Sequence, residues 1–577
     1  MVDTIAHDIL IIGSGIAGLR AAIAAANVDN KLSIAVISKV QVMRSHSVSA
    51  EGGTAAVLVE GEKQGDTQES HIYDTVKGSD FLADQDVAER LVRNMPYEIY
   101  QLDRWGMPWS RKEDGGIAQR SFGGYSFPRA TFAQDKVGFY EMQTLYDTSL
   151  KYDNIEFYNE WFCTGILADE LSKTFMGIVA IEMKTGTLFV FRAPAAIICT
   201  GGAGRVYSFS TYAYSSTPDG LDMSYRAGLA LKDMEFVQFH PTGIIPSGIL
   251  ITEGARGEGG YLINRDGDRF MKKYAPNALE LASRDVVSRG MMTEINEGRG
   301  WKHETGVDCL KLDLTHLGAD LIKERLNGIR EIGKKFSGVD VIEEPIEIRP
   351  VCHYMMGGIH TNIDGATEMH GLWAAGEAAC NSTHGANRLG ANSTGECLVW
   401  GKITGQLAAK YALSHRNISS SIPNVQVLEE EKRIYDGIFR GRGQINPYEV
   451  RKQLSDTMDA KAHVYRNEKD LSDGLRIIKD LQRSSWKHVD DQAKEYNTNF
   501  TNVMELDSML RIAEIILVGA LNRLESRGAQ ARIEHPKRDD IRFLKHTTAY
   551  YAGPLQDPRM DWFPVTITRF KPVERHY

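Results

Sequence analysis

Seven residues whose side chains can bind acids or move protons are spread over the middle of the chain. They are His240, Thr252, Glu253, Arg256, Arg284, His353 and Arg388. Arginine can bind a carboxylate through two parallel hydrogen bonds, and glutamate and histidine can exchange protons. Taken singly, each residue has an ordinary explanation. Glu253 and Arg256 could be an ion-pair cluster, and Arg284 with Asp285 could be a charge pair at a helix start. Any shared chemistry therefore depends on the elements that bring them together.

The clearest single motif is Gly13-x-Gly15-x-x-Gly18, which encloses Ser14 and joins an apolar run to an alanine-rich segment within residues 8–26. This context predicts a strand, a tight turn and a helix. The first glycine permits the turn, the second lets the backbone approach a pyrophosphate, and the third lets the helix pack on the strand. The helix N-terminus would then bind phosphate groups. The motif predicts dinucleotide binding.

The sequence around this motif favours one dinucleotide. An acidic residue usually ends the second strand of an NAD site and binds the ribose, but Ser38-Lys39 stands there. Two more apolar strands with glycine turns occur at 195–204 and 371–377, and the second turn contains Glu377, which could bind hydroxyls of a ribityl chain. Three glycine turns from separate segments suit a cofactor longer than NAD, namely FAD.

The fold class predicted from these patterns is α/β. A Rossmann-like FAD-binding domain is split by an inserted α+β capping domain and followed by a helical domain and a small C-terminal domain. A chain of 577 residues is too long for one hydrophobic core. The predicted boundaries are 1–235 and 353–424 for the two parts of the FAD-binding domain, 236–352 for the cap, 425–530 for the helical domain and 531–577 for the C-terminal domain.

Composition argues against several classes of function. The formal net charge is −9, from 67 basic and 76 acidic residues, so we expect no nucleic-acid partner. The six cysteines include no CxxC pair, so we expect no metal site, no iron–sulfur cluster and no disulfide framework in this chain. No apolar run reaches the roughly 18 residues of a transmembrane helix, and the first residues lack the basic start of a secretory signal.

The segment 44–53 (RSHSVSAEGG) carries the first specific resemblance. It resembles the covalent flavin-attachment segment of the flavoprotein subunits of succinate dehydrogenase and fumarate reductase, the complex II family. The resemblance implies that His46 carries FAD through a covalent bond. It also implies cofactor contacts from the neighbouring residues Ser45, Ser47, Glu51, Gly52 and Gly53.

Six further segments resemble the same family in the same order along the chain. They are FVQFHPTG at 236–243, LITEGARGEGG at 250–260, SRD at 283–285, HYMMGG at 353–358, HGANRLG at 384–390 and SRGA at 526–529. The resemblance implies that Arg284 donates a proton to the substrate and that Glu253 and Arg256 form its relay.

The resemblance also assigns residues to the substrate and to the cofactor. His240, which is also placed among the catalytic residues, would bind substrate together with Thr252, His353, Arg388 and Phe122. Further cofactor contacts are expected from Ser38, Lys39, Asp219, Tyr354, Glu377, Arg388, Asn392 and Ser393.

The family implies a flavoprotein subunit that interconverts succinate and fumarate by hydride transfer with FAD. Because the chain lacks cluster ligands, the electrons would pass to or from an iron–sulfur subunit and then a quinone-binding membrane anchor. The chain would then lie peripherally on the cytoplasmic face of the cell membrane. Two alternatives remain open. An L-aspartate oxidase-like flavoenzyme would lack the flavin-linking histidine, and a non-catalytic flavin-binding assembly subunit would not need the whole charged set.

The physiological direction rests on Glu51. Fumarate reductases tend to have glutamate at this position, and many succinate dehydrogenases have glutamine. A carboxylate beside the flavin should lower its potential by disfavouring a reduced anion. The sequence therefore leans slightly towards fumarate reduction and leaves the direction open.

Overall fold

The computed structural model describes residues 2–415 and 423–577. Residues 416–422 fall within the predicted second part of the FAD-binding domain, 353–424, and that portion of the prediction lies outside the described residues.

A parallel sheet of five strands positions the glycine turns. In spatial order the strands are Leu372–Ala374, Ala195–Ile198, Ile9–Ile12, Ile34–Ser38 and Ile155–Asn159. Every neighbouring pair is parallel. The strand Ile9–Ile12 is buried at all four positions, as its unbroken apolar run predicts for a sheet covered on both faces. The prediction that one sheet is assembled from three separated stretches of chain is confirmed.

Two helices cover the sheet and pack against each other. Ile16–Ala26 is buried at every position, and Asn392–Ser414 lies alongside it. Their close approach requires glycine at 405, because a Cβ there would lie 2.3 Å from the carbonyl oxygen of Ala21. Both helices begin at the cofactor side of the sheet.

An antiparallel sheet forms the core of the capping region. Its strands, in order, are Val237–Ile244, Ile346–Met355, Asp308–Asp313 and Tyr261–Ile263, with Trp301–Lys302 paired to the third. Helices Gly254–Gly257, Met271–Tyr274, Arg284–Asn296, Ala319–Arg325 and Asn327–Phe336 accompany it. The first two strands carry His240 and His353. The second strand runs through the boundary predicted at 352, so the cap and the cofactor domain are continuous there.

Two further sheets join distant parts of the chain. One contains Asp3–Ala6, Thr187–Arg192, Thr174–Glu182 and Trp161–Asp169. The other contains Ala379–Cys380, Gly358–His360, Leu231–Lys232, Lys545–Tyr550 and Arg559–Pro564. The last two strands belong to the predicted C-terminal domain, but they extend a sheet that begins in the predicted FAD-binding domain.

Helices make up most of the remaining structure. Before the cap they are Val59–Glu62, Gln68–Gly78, Gln85–Arg104, Val137–Ser149 and Asp219–Arg226. After residue 423 they are Asn424–Ile434, Pro447–Lys461, Glu468–Arg483 and Thr498–Asn522. The last one confirms the helix predicted from apolar spacing around residues 504–515. Within residues 2–415 and 423–577, no helix combines the length and apolar character needed to cross a membrane.

Candidate active site

A cavity of about 370 Å³ lies between the parallel sheet and the capping sheet. Most of the predicted site residues line it. These are Gly13, Ser14, Gly15, Ser38, Lys39, Ser45, His46, Ser47, Glu51, Gly52, Gly53, Phe122, Asp219, His240, Thr252, Glu253, Arg284, His353, Tyr354, Glu377, Arg388 and Ser393. The structure therefore brings together segments that are more than 300 residues apart in the chain.

Three predicted site residues do not line the cavity. Gly18 packs the first helix on its strand, because a Cβ there would lie 2.0 Å from the Gly13 carbonyl oxygen. Arg256 is buried behind Glu253, with its Nη2 3.9 Å from Glu253 Oε1. Asn392, a predicted cofactor contact, begins helix Asn392–Ser414, and its Oδ1 accepts a hydrogen bond from Tyr125 at 2.8 Å.

The first glycine turn leaves room for a ligand at a helix N-terminus. Gly13 has φ +107°, and a Cβ there would lie 2.2 Å from the Cys199 carbonyl oxygen. Helix Ile16–Ala26 starts after Gly15, whose missing side chain cannot cap the first N–H groups. The Ile16 N–H reaches Ser47 Oγ at 3.3 Å. The remaining N–H groups and the positive end of the helix dipole are suited to phosphate.

Lys39 is held by an ion-pair network at the same wall of the cavity. Its ammonium donates to Asp219 Oδ2 at 2.7 Å, Thr217 Oγ1 at 2.7 Å and Glu505 Oε1 at 2.8 Å. Burial alone would lower the pKa of Lys39, but Asp219 and Glu505 raise it overall, so the ammonium stays charged. Sequence reasoning missed Glu505, which comes from helix Thr498–Asn522 and has no local signal.

His46 is fixed by contacts that leave one ring nitrogen free. Its ring stacks on Tyr212 with centroids 4.8 Å apart and planes at 15°. Its Nδ1 accepts a hydrogen bond from the Ala213 N–H at 3.3 Å and lies 3.1 Å from Ser49 Oγ. Burial, with Arg205 adding, lowers the pKa of His46 to about 4. The imidazole is therefore neutral near pH 7, and Nε2 is the nitrogen left for a ligand. Tyr212 had no signal in the sequence.

The surroundings of Glu51 oppose the ionised carboxylate on which the predicted direction of the reaction depends. Its carboxyl is buried, and Oε2 has no hydrogen-bond partner. Arg120 instead donates to the backbone carbonyls of Glu51 and Gly52, at 3.1 and 2.6 Å. Burial, reinforced by Asp135, raises the pKa of Glu51 well above its usual value despite Arg120. The neutral acid is favoured, so the expected effect of a negative charge requires a pH above that raised pKa.

Arg284 and Glu253 meet at the other wall of the cavity. Arg284 begins helix Arg284–Asn296, and its Nε lies 2.7 Å from Glu253 Oε2. Glu253 Oε1 accepts the Gly123 N–H at 2.7 Å. Burial alone would raise the pKa of Glu253, but Arg284 and Arg256 lower it overall. The pair is ionised and held in one geometry.

Gln238 connects the two arginines of this wall. Its Oε1 accepts hydrogen bonds from Arg284 Nη1 at 3.0 Å and Arg388 Nη2 at 3.3 Å. Burial, with Arg284 adding, lowers the pKa of Arg388 to about 10, so Arg388 remains a cation near neutral pH. Its guanidinium lies 4.1 Å from the Tyr354 ring centroid, and its Nε has no partner. Gln238 stands within the segment 236–243, but sequence reasoning assigned it no role.

His240 and His353 complete this wall as neutral donors. Their ring centroids lie 4.9 Å apart. His240 Nδ1 accepts the Thr242 N–H at 3.2 Å, so the ring proton is on Nε2, which has no partner. His353 Nδ1 lies 2.9 Å from Thr211 Oγ1. Burial lowers the pKa of both histidines well below the usual value, with Arg284 adding.

Phe122 stands between the two walls. It is buried, and a Cβ at Gly52 would lie 3.0 Å from its ring. The ring therefore lies against the attachment segment 44–53 and lines the cavity.

Comparison with known proteins places this site in a family. Residues 8–394 match the family described as FAD binding domain, and residues 451–577 match the family described as fumarate reductase flavoprotein C-term. The fumarate reductase flavoprotein subunit of Mycobacterium tuberculosis H37Rv is 45% identical over 590 residues, which cover 100% of each chain.

The chain belongs to the fumarate reductase and succinate dehydrogenase flavoprotein-subunit family. The succinate dehydrogenase flavoprotein subunit of Rickettsia bellii is 42% identical, covering 97% of this chain and 95% of the relative. Among solved structures, a mutated FrdA chain of E. coli quinol fumarate reductase has a TM-score of 0.95, 40% identity and 99% coverage of both chains. The Mycobacterium smegmatis Sdh1 complex has a TM-score of 0.84 and 30% identity, covering 99% of this chain and 96% of that chain.

The flavoprotein-subunit cavity fits the FAD that the family binds. The uncapped helix N-terminus after Gly15 suits a pyrophosphate. Gly13 and Gly15 line the cavity without side chains, so backbone can approach a ligand closely there. His46 Nε2 is free for a bond to the ligand. The same family relation gives mixed α/β structure with an FAD-binding part and a C-terminal part.

Proposed function

We propose that this flavoprotein subunit interconverts succinate and fumarate, with FAD bound covalently at His46 Nε2. One observation carries the proposal: the cavity wall that holds the attachment segment faces a second wall with the Arg284–Glu253 ion pair and two unpartnered donors, Arg388 Nε and His240 Nε2. FAD, when bound, supplies the acceptor or donor of a hydride. The second wall supplies the cations, hydrogen-bond donors and proton relay with which a C4 dicarboxylate would be bound and converted.

Binding of a dianion follows from the charge of this wall. Arg284, Arg388 and Arg256 are three buried cations, and Glu253 is the carboxylate that pairs with two of them. The remaining positive charge is buried and is offset by a bound carboxylate pair. Arg388 and His353 hold one carboxylate in this proposal, because arginine binds it through two hydrogen bonds.

The other carboxylate is held by neutral groups. His240 Nε2 and the Thr252 hydroxyl both line the cavity and can donate hydrogen bonds. Donors aimed at this carboxylate also stabilise negative charge that develops on it during reaction. Phe122 keeps water from that side, since its ring is buried between the walls.

Proton transfer is assigned to Arg284. An arginine with a pKa above about 12 gives up a proton only transiently, so it must be reprotonated at once by a group already in contact. Glu253 Oε2 lies 2.7 Å from Arg284 Nη2, and Arg256 Nη2 lies 3.9 Å from Glu253 Oε1. These three residues form the relay, and the bound proton moves between them and the substrate carbon.

Partner subunits and domain limits belong to the same proposal. Related structures bear the names of quinol fumarate reductase and the Sdh1 complex. Among the described residues, no group of three or more His, Cys, Asp and Glu could hold a metal ion. We infer an iron–sulfur subunit and a quinone-binding membrane anchor as partners and a peripheral position on the cytoplasmic face. We also propose the domain limits predicted from the sequence, except the limit at 352, which falls within strand Ile346–Met355. Affinity purification of the native chain should recover a cysteine-rich partner, and recovery of the chain alone from membranes would count against it.

Turnover of the purified holoprotein tests the central proposal. Fumarate reduction with a reduced dye and succinate oxidation with an oxidising dye should both be detectable, because one site serves both directions. Oxidation of L-aspartate in place of succinate would favour the alternative flavoenzyme. Flavin without either activity would favour an assembly subunit. The direction used in the cell leans towards fumarate reduction only through Glu51.

A further inference from the structure

Glu141 is a buried carboxyl group that the proposed reaction does not use. It lies on helix Val137–Ser149 and is fully inaccessible to solvent. One of its oxygens accepts a hydrogen bond from Thr54 Oγ1, and Oε2 has no partner. In the described part of the chain, no basic side chain forms an ion pair with it. Glu98 is equally buried but pairs with Arg20 at 2.7 Å, as a structural carboxylate normally does.

Two hydroxyl groups connect Glu141 to the cofactor cavity. Thr54 Oγ1 lies 2.7 Å from Thr394 Oγ1, and Thr394 lines the cavity in the first turn of helix Asn392–Ser414. Each hydroxyl donates one hydrogen bond and accepts others. When Glu141 is ionised, Thr54 must donate to it. When Glu141 is protonated, it can donate to Thr54, and Thr394 can then turn its hydrogen towards the cavity.

The groups around Glu141 do not neutralise its charge. Burial lowers the pKa of His46, on the 3₁₀ helix packed against this helix, to about 4. Burial also raises the pKa of the Cys397 thiol, which interacts electrostatically with Glu141, well above its usual value. Both groups are therefore neutral near pH 7. The neighbouring helices contribute Arg20, which is already paired with Glu98. The short helix before His46 contributes Arg44, which is exposed and is not among the groups that shift the pKa of Glu141.

We propose that Glu141, positioned by Thr54 and Thr394, takes up one proton from solvent when FAD in this cavity accepts a hydride and releases it when the hydride leaves. The inference rests on the proposed FAD chemistry. Succinate supplies the hydride and fumarate receives it, so no further reductant or oxidant is needed. Each hydride adds one negative charge to a buried cavity, and the proton on Glu141 offsets that charge.

The pKa of Glu141 lies in the range that such a role requires. Burial raises its pKa to about 7, although the Thr54 hydrogen bond lowers it. A nearby negative charge raises a carboxyl pKa further. Between this pKa of about 7 and the higher pKa that the added charge produces, the group is therefore ionised before the hydride arrives and protonated afterwards. Glu141 acts through the two threonines and is a positioning residue.

The reduction potential of the bound FAD, measured by mediated spectroelectrochemistry from pH 6 to 9, tests the inference without any substrate turnover. One proton taken up with two electrons shifts the potential by about 30 mV for each tenfold change in proton concentration. Above pH 7 the wild-type potential should fall more steeply than that of Glu141→Gln by this amount. Glu156→Gln changes a carboxyl that is 63% exposed on strand Ile155–Asn159 and should keep the wild-type slope.

A second variant keeps the carboxyl and covers the case in which Glu141→Gln fails to hold FAD. Thr54→Val removes the hydrogen bond that favours the carboxylate, so the steeper region should begin at a higher pH than in wild type. Equal slopes and equal onsets in wild type, Glu141→Gln and Thr54→Val would overturn the inference. That result would leave the proposed function intact, because turnover and flavin attachment are measured separately.

Discussion

Arg284 Nε and Nη2 each lie 2.7 Å from Glu253 Oε2, so the two residues form a buried, two-point ion pair beside the cofactor cavity. The pair fixes the plane of the guanidinium and leaves Arg284 Nη1 to donate to Gln238 at 3.0 Å. An arginine held in this way is in direct contact with the carboxylate that can return a proton to it. The proposed acid and its relay are therefore one rigid unit.

Replacing Arg284 by alanine should abolish turnover and leave the flavin in place. The proton donor contributes at least about 100-fold to the rate, and Arg284 lies outside the attachment segment. Turnover and acid-stable flavin are measured on the same preparation. Arg476→Ala, which changes an exposed pair with Asp480 in the helical region, should keep full activity. Fumarate reduction within tenfold of wild type in Arg284→Ala would contradict the proton-donor role.

Replacing His46 by serine should eliminate covalently bound flavin. His46 Nε2 is the ring nitrogen without a protein partner and is the proposed point of attachment, and the serine side chain has no such nitrogen. Acid precipitation should give a fluorescent pellet from wild type and a colourless pellet from the variant, while gentle gel filtration still shows some bound FAD. His316→Ser, an exposed histidine stacked on Tyr261, should behave as wild type. A colourless wild-type pellet would refute covalent attachment.

The effect of Glu51→Gln on direction should depend on pH. Burial raises the pKa of Glu51 well above its usual value, so below that raised pKa the wild-type side chain is neutral and resembles glutamine. As pH rises through that pKa, the wild-type group ionises, lowers the flavin potential and favours fumarate reduction, which the variant cannot do. Protein-film voltammetry gives the ratio of the two directions. An unchanged ratio across the whole pH range would remove Glu51 as a determinant of direction.

His463 should make the fold less stable in acid. Burial, with Arg349 and Arg466 adding, lowers its pKa to about 3 from a usual value of 6.5. Below pH 6.5 the unfolded chain therefore binds a proton that the native chain does not, and stability falls as pH decreases towards 3. The loss is about 1.4 kcal/mol for each pH unit. Between pH 7 and pH 5 the Tm of His463→Gln should fall less than the Tm of wild type. An identical decrease in both proteins would exclude His463 as the cause.

The sequence predicted most of the residues on the cofactor wall of the cavity, because short local motifs identify them. The spacing of Gly13, Gly15 and Gly18 predicts a tight turn between a strand and a helix, and the structure shows a strand, a turn and a helix there. The helix around residues 504–515 followed from apolar spacing. At Gly18 a Cβ would lie 2.0 Å from the Gly13 carbonyl oxygen, which agrees with the predicted role of this glycine in packing the helix on its strand.

Contacts between distant segments could not be predicted. Glu505 pairs with Lys39 across 466 residues, and Tyr212 stacks on His46 across 166 residues. No local pattern identifies such partners, because the sequence does not distinguish the acidic or aromatic residue that makes the contact from the others in the chain. The ionisation of Glu51 was assumed from its residue type, whereas burial raises the pKa of Glu51 well above its usual value.

By itself the sequence determined the family, the cofactor class and the set of charged residues, since short motifs fix backbone turns and residue types wherever they occur. The tertiary structure decided which of those residues meet and in which charge state. Arg284, Gln238 and Arg388 form one connected wall only because helix Arg284–Asn296, strand Val237–Ile244 and the segment before Asn392 converge on the cavity. Burial then set the protonation of Glu51, Glu141, His240 and His353, because desolvation depends on the whole surrounding fold and not on neighbours in the chain.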